Sequence, residues 1–322
     1  MTDARSRNLA ASVRQRLLNL ARATGRPFQE IIQYFAMERF LYRLAQSQHS
    51  EHFVLKGALM LTVWQAPESR PTRDIDLLGH LPNSVESVVR VIGDICRQTV
   101  EPDGLVFDSE RLNGQEIKED ADYSGVRITF HALLGTARRP MQIDIGFGDV
   151  IHPAPTVSEY PTILDQLAPC LQTYPRETVV AEKYEAMVKL AQLNSRMKDF
   201  FDIWLLSRQF AFEASSLAAA VQATFENRGT PLGQNPVALT DEFADDRQKQ
   251  SQWTAFLRRS RLEIAPAELP EVVQGIENFL GPIHRGIQSG SISKLHWPAG
   301  GPWITPDAEA VKTTSASKTE KR

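Results

Sequence analysis

Cysteine is nearly absent from this chain, with only Cys96 and Cys170 among 322 residues. Neither belongs to a C-x-x-C pair, so neither a zinc site nor a disulfide framework is indicated, and a reducing cytoplasm is the expected location. No apolar run approaches the ~20 residues of a membrane span, and the polar opening Met1–Arg7 does not read as a signal peptide; no membrane partner is expected. Internal repeats are missing. So is an excess of charge of one sign, since 36 Lys and Arg stand against 39 Asp and Glu for a net charge of −3. Net charge therefore does not mark a nucleic-acid binder. Locally the balance tilts. Arg5, Arg7, Arg14, Arg16, Arg22, Arg26, Arg39 and Arg43 meet only Asp3, Glu30 and Glu38 in the first fifty residues, and Arg258, Arg259 and Arg261 cluster later. Each group is either a phosphate-contacting face or a solvated helix face.

What is present is an ordinary globular composition, 42% hydrophobic and 23% charged, in a length that suits one large domain or two of usual size. Apolar residues recur at helical spacing over Leu9–Thr24 and Gln29–Gln46, interrupted by Gly25 and Pro27. Phe53–Leu55 reads as a strand, Ala58–Trp64 as a helix, Pro67–Pro71 as a loop and Arg73–Leu78 as a second strand. Ser84–Arg97 is an amphipathic helix with Ser84 as its cap. Leu105–Asp108, Gln115–Lys118, Val126–Ala132 and Met141–Phe147 are short strand-like runs between turns. After the proline-spaced Pro153–Pro161, helices are expected over Glu177–Leu193, Phe200–Leu206, Phe212–Phe225, Gln248–Arg261 and Glu271–Leu280. The expected fold class is α+β: a mixed sheet with helices on it over 1–152, a mainly helical domain over 153–305, and a polar, basic, disordered tail over 306–322.

The chemistry concentrates in Phe53–Gly79. Successive side chains of a strand alternate between faces, so Asp74 and Asp76 point the same way while Ile75 and Leu77 enter a core. Two carboxylates about 7 Å apart on one strand face repel each other unless a cation sits between them. Mg²⁺ suits such a pair, because it takes one or two carboxylates and keeps positions for water and substrate phosphate. Upstream, the Lys56-Gly57 turn offers a backbone without a Cβ, open to close approach by a triphosphate. A D-x-D pair on the wet face of a strand also occurs with no metal at all. A third acid shifts the balance: Met141–Phe147 alternates strictly, with Met141, Ile143, Ile145 and Phe147 on one face and Asp144 on the other.

A second constellation lies in the helical part. Lys183 sits among apolar neighbours, where a lysine commonly snorkels to the surface. Asp199 and Asp202 are three apart, on one helix face near a helix start. Helix-dipole stabilisation explains acids there by itself. With Arg196 and Lys198 beside them, they also suit orienting a lysine toward a transferring phosphoryl group.

Taken in order, K-G-(helix)-R-x-T-x-D-I-D-L is followed by Q-I-D-I-G-x-G-D, A-E-K-x-x-A and R-x-K-D-x-x-D. Together they resemble the AbiEii/AbiGii toxin nucleotidyltransferases of the DNA polymerase β-like superfamily, which include the MenT toxins. The resemblance spans Leu9 to Leu206. It implies a nucleotidyltransferase-type sheet, a helical domain that completes the active site, and the toxin half of a toxin–antitoxin pair whose partner is an AbiEi-like antitoxin. It implies NTP as substrate, Mg²⁺ or Mn²⁺ as cofactor, and tRNA as acceptor at its 3′ end, with translation blocked as the result. Residue by residue it implies that Asp74 and Asp76, with Asp144, hold metal, and that Asp74, Asp76, Lys183, Asp199 and Asp202 are catalytic. Lys56, Gly57, Arg73, Arg196 and Lys198 are implied to bind nucleotide. Asp149 competes with Asp144 for the third carboxylate, and Asp199 and Asp202 are not ranked. Ala58 stands where relatives place a Ser or a second Gly, which removes one hydroxyl-to-phosphate bond. Transfer to a protein or small-molecule acceptor, and a non-catalytic nucleotide-binding module, are the rival readings.

Overall fold

The computed structural model describes residues 2–66, 70–120, 123–233 and 235–305. Part of the expected 67–71 loop and the expected tail from 306 therefore lie outside the described residues. Two compact units divide the chain: Met1–Asp149 with Pro155–Tyr174, and Val150–Ala154 with Pro175–Arg322.

The first unit is a mixed sheet backed by helices. In chain order it holds α1 (Thr2–Thr24), α2 (Phe28–Gln46), β1 (Phe53–Lys56), α3 (Leu59–Val63), β2 (Ile75–Gly79), α4 (Val85–Arg97), β3 (Leu105–Phe107), β4 (Asn113–Asp120), β5 (Tyr123–Leu134), β6 (Ala137–Phe147), β7 (Thr156–Glu159) and β8 (Cys170–Thr173). The strand order is β3-β5-β6-β2-β1-β8-β7, with β4 also paired to β5. β2 runs parallel to β6, and β1 parallel to β8, while the other pairings are antiparallel.

Periodicity explains which face becomes core. Along β5, Val126, Ile128, Phe130, Ala132 and Leu134 are all at most 2% exposed, whereas Arg127, Thr129, His131 and Leu133 between them remain partly open. Ile31, Ile32, Phe35, Met37, Phe40, Leu41 and Leu44 of α2 join the same core cluster as the inward residues of β5 and β6. Burying one such side chain is worth about 1.5–3 kcal/mol, so this helix is a principal anchor of the unit. Ser84 caps α4 by accepting the Ser87 N–H at 3.2 Å, as expected.

Two strands were not legible. β7 and β8 lie in the proline-spaced segment that the sequence grouped with the helical part. They belong to the first unit because β8 pairs with β1 through Leu55 and Thr173. Helix α2 ties down the connection between them, with Glu38 accepting the Ile163 N–H at 2.7 Å and Arg39 donating to the Leu167 carbonyl at 2.7 Å.

The second unit is mainly helical: α5 (Arg176–Leu190), α6 (Met197–Gln209), α7 (Ala214–Arg228), α8 (Asp241–Asp245), α9 (Arg247–Ser260) and α10 (Leu269–Ser289), with a small ribbon of β9 (Phe212–Glu213) and β10 (His296–Trp297). The helix expected from Phe212 starts two residues later, because Phe212 and Glu213 pair with the ribbon. The helix expected to stop at Leu280 runs to Ser289 through Pro282. Proline removes one helical N–H, yet Ile283 and His284 beyond it are 2% exposed. His284 Nε2 donates to the Gly233 carbonyl at 2.8 Å and Nδ1 accepts from Tyr184 at 2.7 Å. Tertiary contacts carry the helix past its break.

Candidate active site

The sheet register assembles the carboxylates. Arg127 on β5 pairs with Asp144 on β6, Asp144 with Asp76 on β2, and Asp76 with Lys56 on β1. Residues directly opposed in a sheet share a face. The row across these strands therefore reads cation, anion, anion, cation. Asp74, two residues before Asp76, lies beside it, and ligand oxygens of Asp74, Asp76 and Asp144 are all within 4.8 Å of one another. Among the described residues no other cluster of His, Cys, Asp or Glu meets that criterion.

Three acids so close repel one another, by roughly 1 kcal/mol per pair in water and ~4 at an effective dielectric of 20 for a 4 Å separation. Neighbours relieve part of this. Arg127 grips Asp144 in a two-pronged fork, Nε to Oδ1 at 2.8 Å and Nη2 to Oδ2 at 2.7 Å. That fork raises the Arg127 pKa above its ordinary value, and the nearby Asp74 and Asp76 charges act in the same direction. Gln142, two residues before Asp144 on the same face, donates Nε2 to both oxygens at 3.3 and 3.1 Å. The Thr72 hydroxyl donates to Asp74 Oδ1.

Lys56 turns to the other competitor. Its Nζ lies 2.8 Å from Asp149 Oδ2, with both side chains at most 7% exposed. Asp149 is thus a partner of Lys56, and the acid that joins Asp74 and Asp76 is Asp144. Gly57 has φ +72°, and a Cβ built there would collide with the Asp76 carboxylate. The glycine is required by the close approach of Asp76 as well as by its left-handed backbone. Arg73 is exposed, and its carbonyl accepts from Gln33 Nε2 at 3.4 Å.

A hard divalent cation fits this donor set. All three ligands are carboxylate oxygens, the chemistry Mg²⁺ and Mn²⁺ select, and the half-exposed Asp74 and Asp76 leave access for water or phosphate.

In the second unit Lys183 of α5 reaches both acids of α6. Its Nζ lies 2.7 Å from Asp199 Oδ1 and 2.9 Å from Asp202 Oδ2, with side-chain exposures of 15%, 6% and 2% in that order. The i, i+3 spacing on α6 places the two carboxylates on one face, so a single amine bridges them. Lys198 is exposed, and the Arg196 N–H donates to Asn194 Oδ1 at 2.8 Å just ahead of α6. No motif assigns a role to Arg127 or Gln142, and Thr72 enters only as the threonine of R-x-T-x-D-I-D-L. The alternation of Val126-Arg127-Ile128-Thr129 would have put Arg127 on a polar face, but its pairing with Asp144 depends on the register between two strands.

A mixed sheet that presents three clustered carboxylates beside a glycine turn is a nucleotidyltransferase architecture. Residues 39–277 match the family model described as the nucleotidyl transferase AbiEii toxin of type IV toxin–antitoxin systems, and the chain belongs to that family. The match extends beyond the Leu9–Leu206 span of the motif resemblance at its C-terminal end, taking in α7 to α9 and part of α10, and begins later, within α2. Among solved structures, JHP933 from Helicobacter pylori is 14% identical with a TM-score of 0.45, over 78% of this chain and 90% of its own. A candidate nucleotidyltransferase from H. pylori is 13% identical with a TM-score of 0.44, over 82% of this chain and 99% of its own. No curated protein matches the chain significantly. No helix among the described residues is long and apolar enough to cross a membrane. The family implies an NTP substrate and an antitoxin partner.

Proposed function

We propose that this protein transfers a nucleoside monophosphate from an NTP to RNA, with the 3′ end of tRNA as acceptor, and that it requires Mg²⁺ or Mn²⁺ to do so. The observation that carries the reading is the convergence of Asp74, Asp76 and Asp144 on one sheet face, their oxygens within 4.8 Å of one another. These three carboxylates would hold the cation, whose chemistry is to screen phosphate charge and lower the pKa of the attacking hydroxyl. The acceptor oxygen bonds to the α-phosphorus, the bond to the β-phosphate oxygen breaks, and pyrophosphate leaves while the hydroxyl proton passes to solvent. The family resemblance assigns Lys183 a catalytic role, with Asp199 and Asp202 holding its amine in place. Lys56, Gly57, Arg73, Arg196 and Lys198 are assigned to nucleotide contact, Lys56 as an amine steadied by Asp149.

An RNA acceptor is favoured by what lies beside the acids. Asn113 and Gln115 of β4 pair with Thr129 and Arg127 of β5, and Thr129 pairs with Gln142 of β6. Further along the same face come His131 and Arg138, joined by an Nη2 to Nδ1 contact of 3.1 Å. Amides, a hydroxyl and cations in a strip suit a sugar–phosphate chain. The test is purified protein with each labelled NTP, Mg²⁺ and total RNA. Nuclease-sensitive label that disappears with Asp76→Asn is expected. Label that follows protein or a small molecule would move the acceptor to that class, and no label from any nucleotide would sink the reading.

A further inference from the structure

We propose that Arg127 is a positioning residue that holds Asp144 when the site is metal-free, releases it to the cation, and then takes a phosphate oxygen. The inference rests on the nucleotidyltransferase reading and adds a residue to which neither the motifs nor the family match assigns a role.

The geometry forces a choice. Both oxygens of Asp144 are engaged by the fork, at 2.8 and 2.7 Å. A carboxylate offers about four acceptor sites, and Gln142 also donates to both oxygens at 3.3 and 3.1 Å, so a cation that coordinates Asp144 displaces one of these donors, and it repels the guanidinium, the donor of like charge. A bidentate arginine–carboxylate pair is among the stronger polar contacts a protein makes, and the cation therefore competes with a resident counter-charge. Asp144 is not left loose when the fork opens, since Gln142 still donates to it. Arg127 is not left trapped either. Its side chain is 33% exposed against 9% for Asp144, and Asp144 supplies all the hydrogen bonds its guanidinium makes within the described structure. A freed guanidinium beside the acids presents a planar fork that matches phosphate as well as carboxylate.

Charge requires such a device. Arg127 sets a positive charge against the Asp144 carboxylate, one of the three clustered acids, before a cation arrives. With Arg127 in place, the apo site is partly balanced, and its charge moves to the substrate when the metal takes over. A purely structural fork would instead hold Asp144 in the metal-binding pose, and its loss would weaken metal binding.

The two roles predict opposite signs. The measurement is Mn²⁺ affinity of the full chain by calorimetry for the parent, Arg127→Gln and Arg127→Lys, with melting in EDTA and in saturating Mn²⁺. Removing the competing charge should tighten Mn²⁺ binding in Arg127→Gln by about tenfold, the effect of deleting one partly screened unit charge close to a divalent ion. The EDTA melting temperature should fall, and Mn²⁺ should restore most of the loss. Arg127→Lys keeps the charge without the fork and should bind Mn²⁺ as the parent does. Weaker or unchanged Mn²⁺ binding in Arg127→Gln, or a melting deficit that Mn²⁺ leaves in place, overturns the proposal; should Arg127→Gln not fold, weaker binding by Arg127→Lys does the same. Steady-state kinetics complete the test. A raised KM for NTP alone assigns the phosphate to the nucleotide, a raised KM for RNA alone assigns it to the acceptor, and no change in either overturns the phosphate step. If the parent itself binds no Mn²⁺, the active-site reading fails instead, and that result is distinguishable from all of these.

Discussion

Among the described residues of the first unit two arginine–aspartate forks occur, and they do opposite work. Arg43 and Asp103 meet at 2.6 and 3.0 Å with side chains 7% and 2% exposed. The remaining valences of that fork are spent locally. Arg43 also donates to the Arg39 and Leu105 carbonyls, and Asp103 Oδ1 accepts the Leu105 N–H. Arg127 and Asp144 meet with nearly the same geometry, but the arginine is a third exposed and two further carboxylates stand beside the aspartate. One fork is closed, with charge balanced and donors occupied. The other is open to solvent and sits beside two more acids. A salt bridge's distances do not reveal its role; its exposure and the groups around it do.

The sharpest way to test the contrast is at the open site. Asp76→Asn should cut nucleotide transfer by roughly 10²- to 10³-fold, the scale seen when a group stabilising transition-state charge is lost. It should leave the metal-free melting temperature unchanged or raised, because one of three crowded acids is neutralised; a large loss of stability would mean that this cluster is structural. At the closed fork the pattern reverses. Asp103→Ala strands a buried guanidinium and should destabilise the protein by about 3–5 kcal/mol in denaturant melts. The Mn²⁺ affinity of the protein that remains folded should not change.

Lys183 is an intermediate case, an amine between two buried acids. Lys183→Met should reduce turnover by roughly 10²-fold, as for one lost charge-stabilising group, and destabilise the second unit by about 3 kcal/mol through loss of the cation that Asp199 and Asp202 share. Lys183→Arg separates these effects: recovered stability without recovered turnover marks a catalytic amine, and recovery of both marks a structural one.

The smallest effect concerns Glu38, beside the closed fork. Burial pushes its carboxyl up to about 7, against partial relief from the Ile163 N–H and from Arg39. In this pH range the folded protein holds a proton that the unfolded chain has released. Stability from this group is therefore present below the ordinary carboxylate pKa and falls as pH rises toward 7, with a slope of at most ~1.4 kcal/mol per pH unit. Glu38→Gln should flatten that slope in melts taken from pH 4.5 to 7.5; an unchanged slope would assign the pH dependence to other groups.

Much of the site was legible because its signals are local. Alternation in Met141–Phe147 put Asp144 opposite a buried Ile143 and Ile145, and the structure buries both completely. The spacing of Asp199 and Asp202 put them on one face, where both reach Lys183. Less was legible where a residue's state depends on a distant partner. Thr156–Glu159 is a largely exposed edge strand with no buried alternation to betray it, and Pro282 signals a helix end that distant contacts overrule.

The amino-acid order alone decided which side chains share a strand face or a helix face, because those periods are set by the backbone within a few residues. Only the tertiary structure decided that Asp144 lies beside Asp76 with Arg127 clasping it, that Asp149 goes to Lys56, and that Gly57 makes room for Asp76. Strand register and close approach are settled by packing among segments far apart in the chain, and no local pattern encodes them.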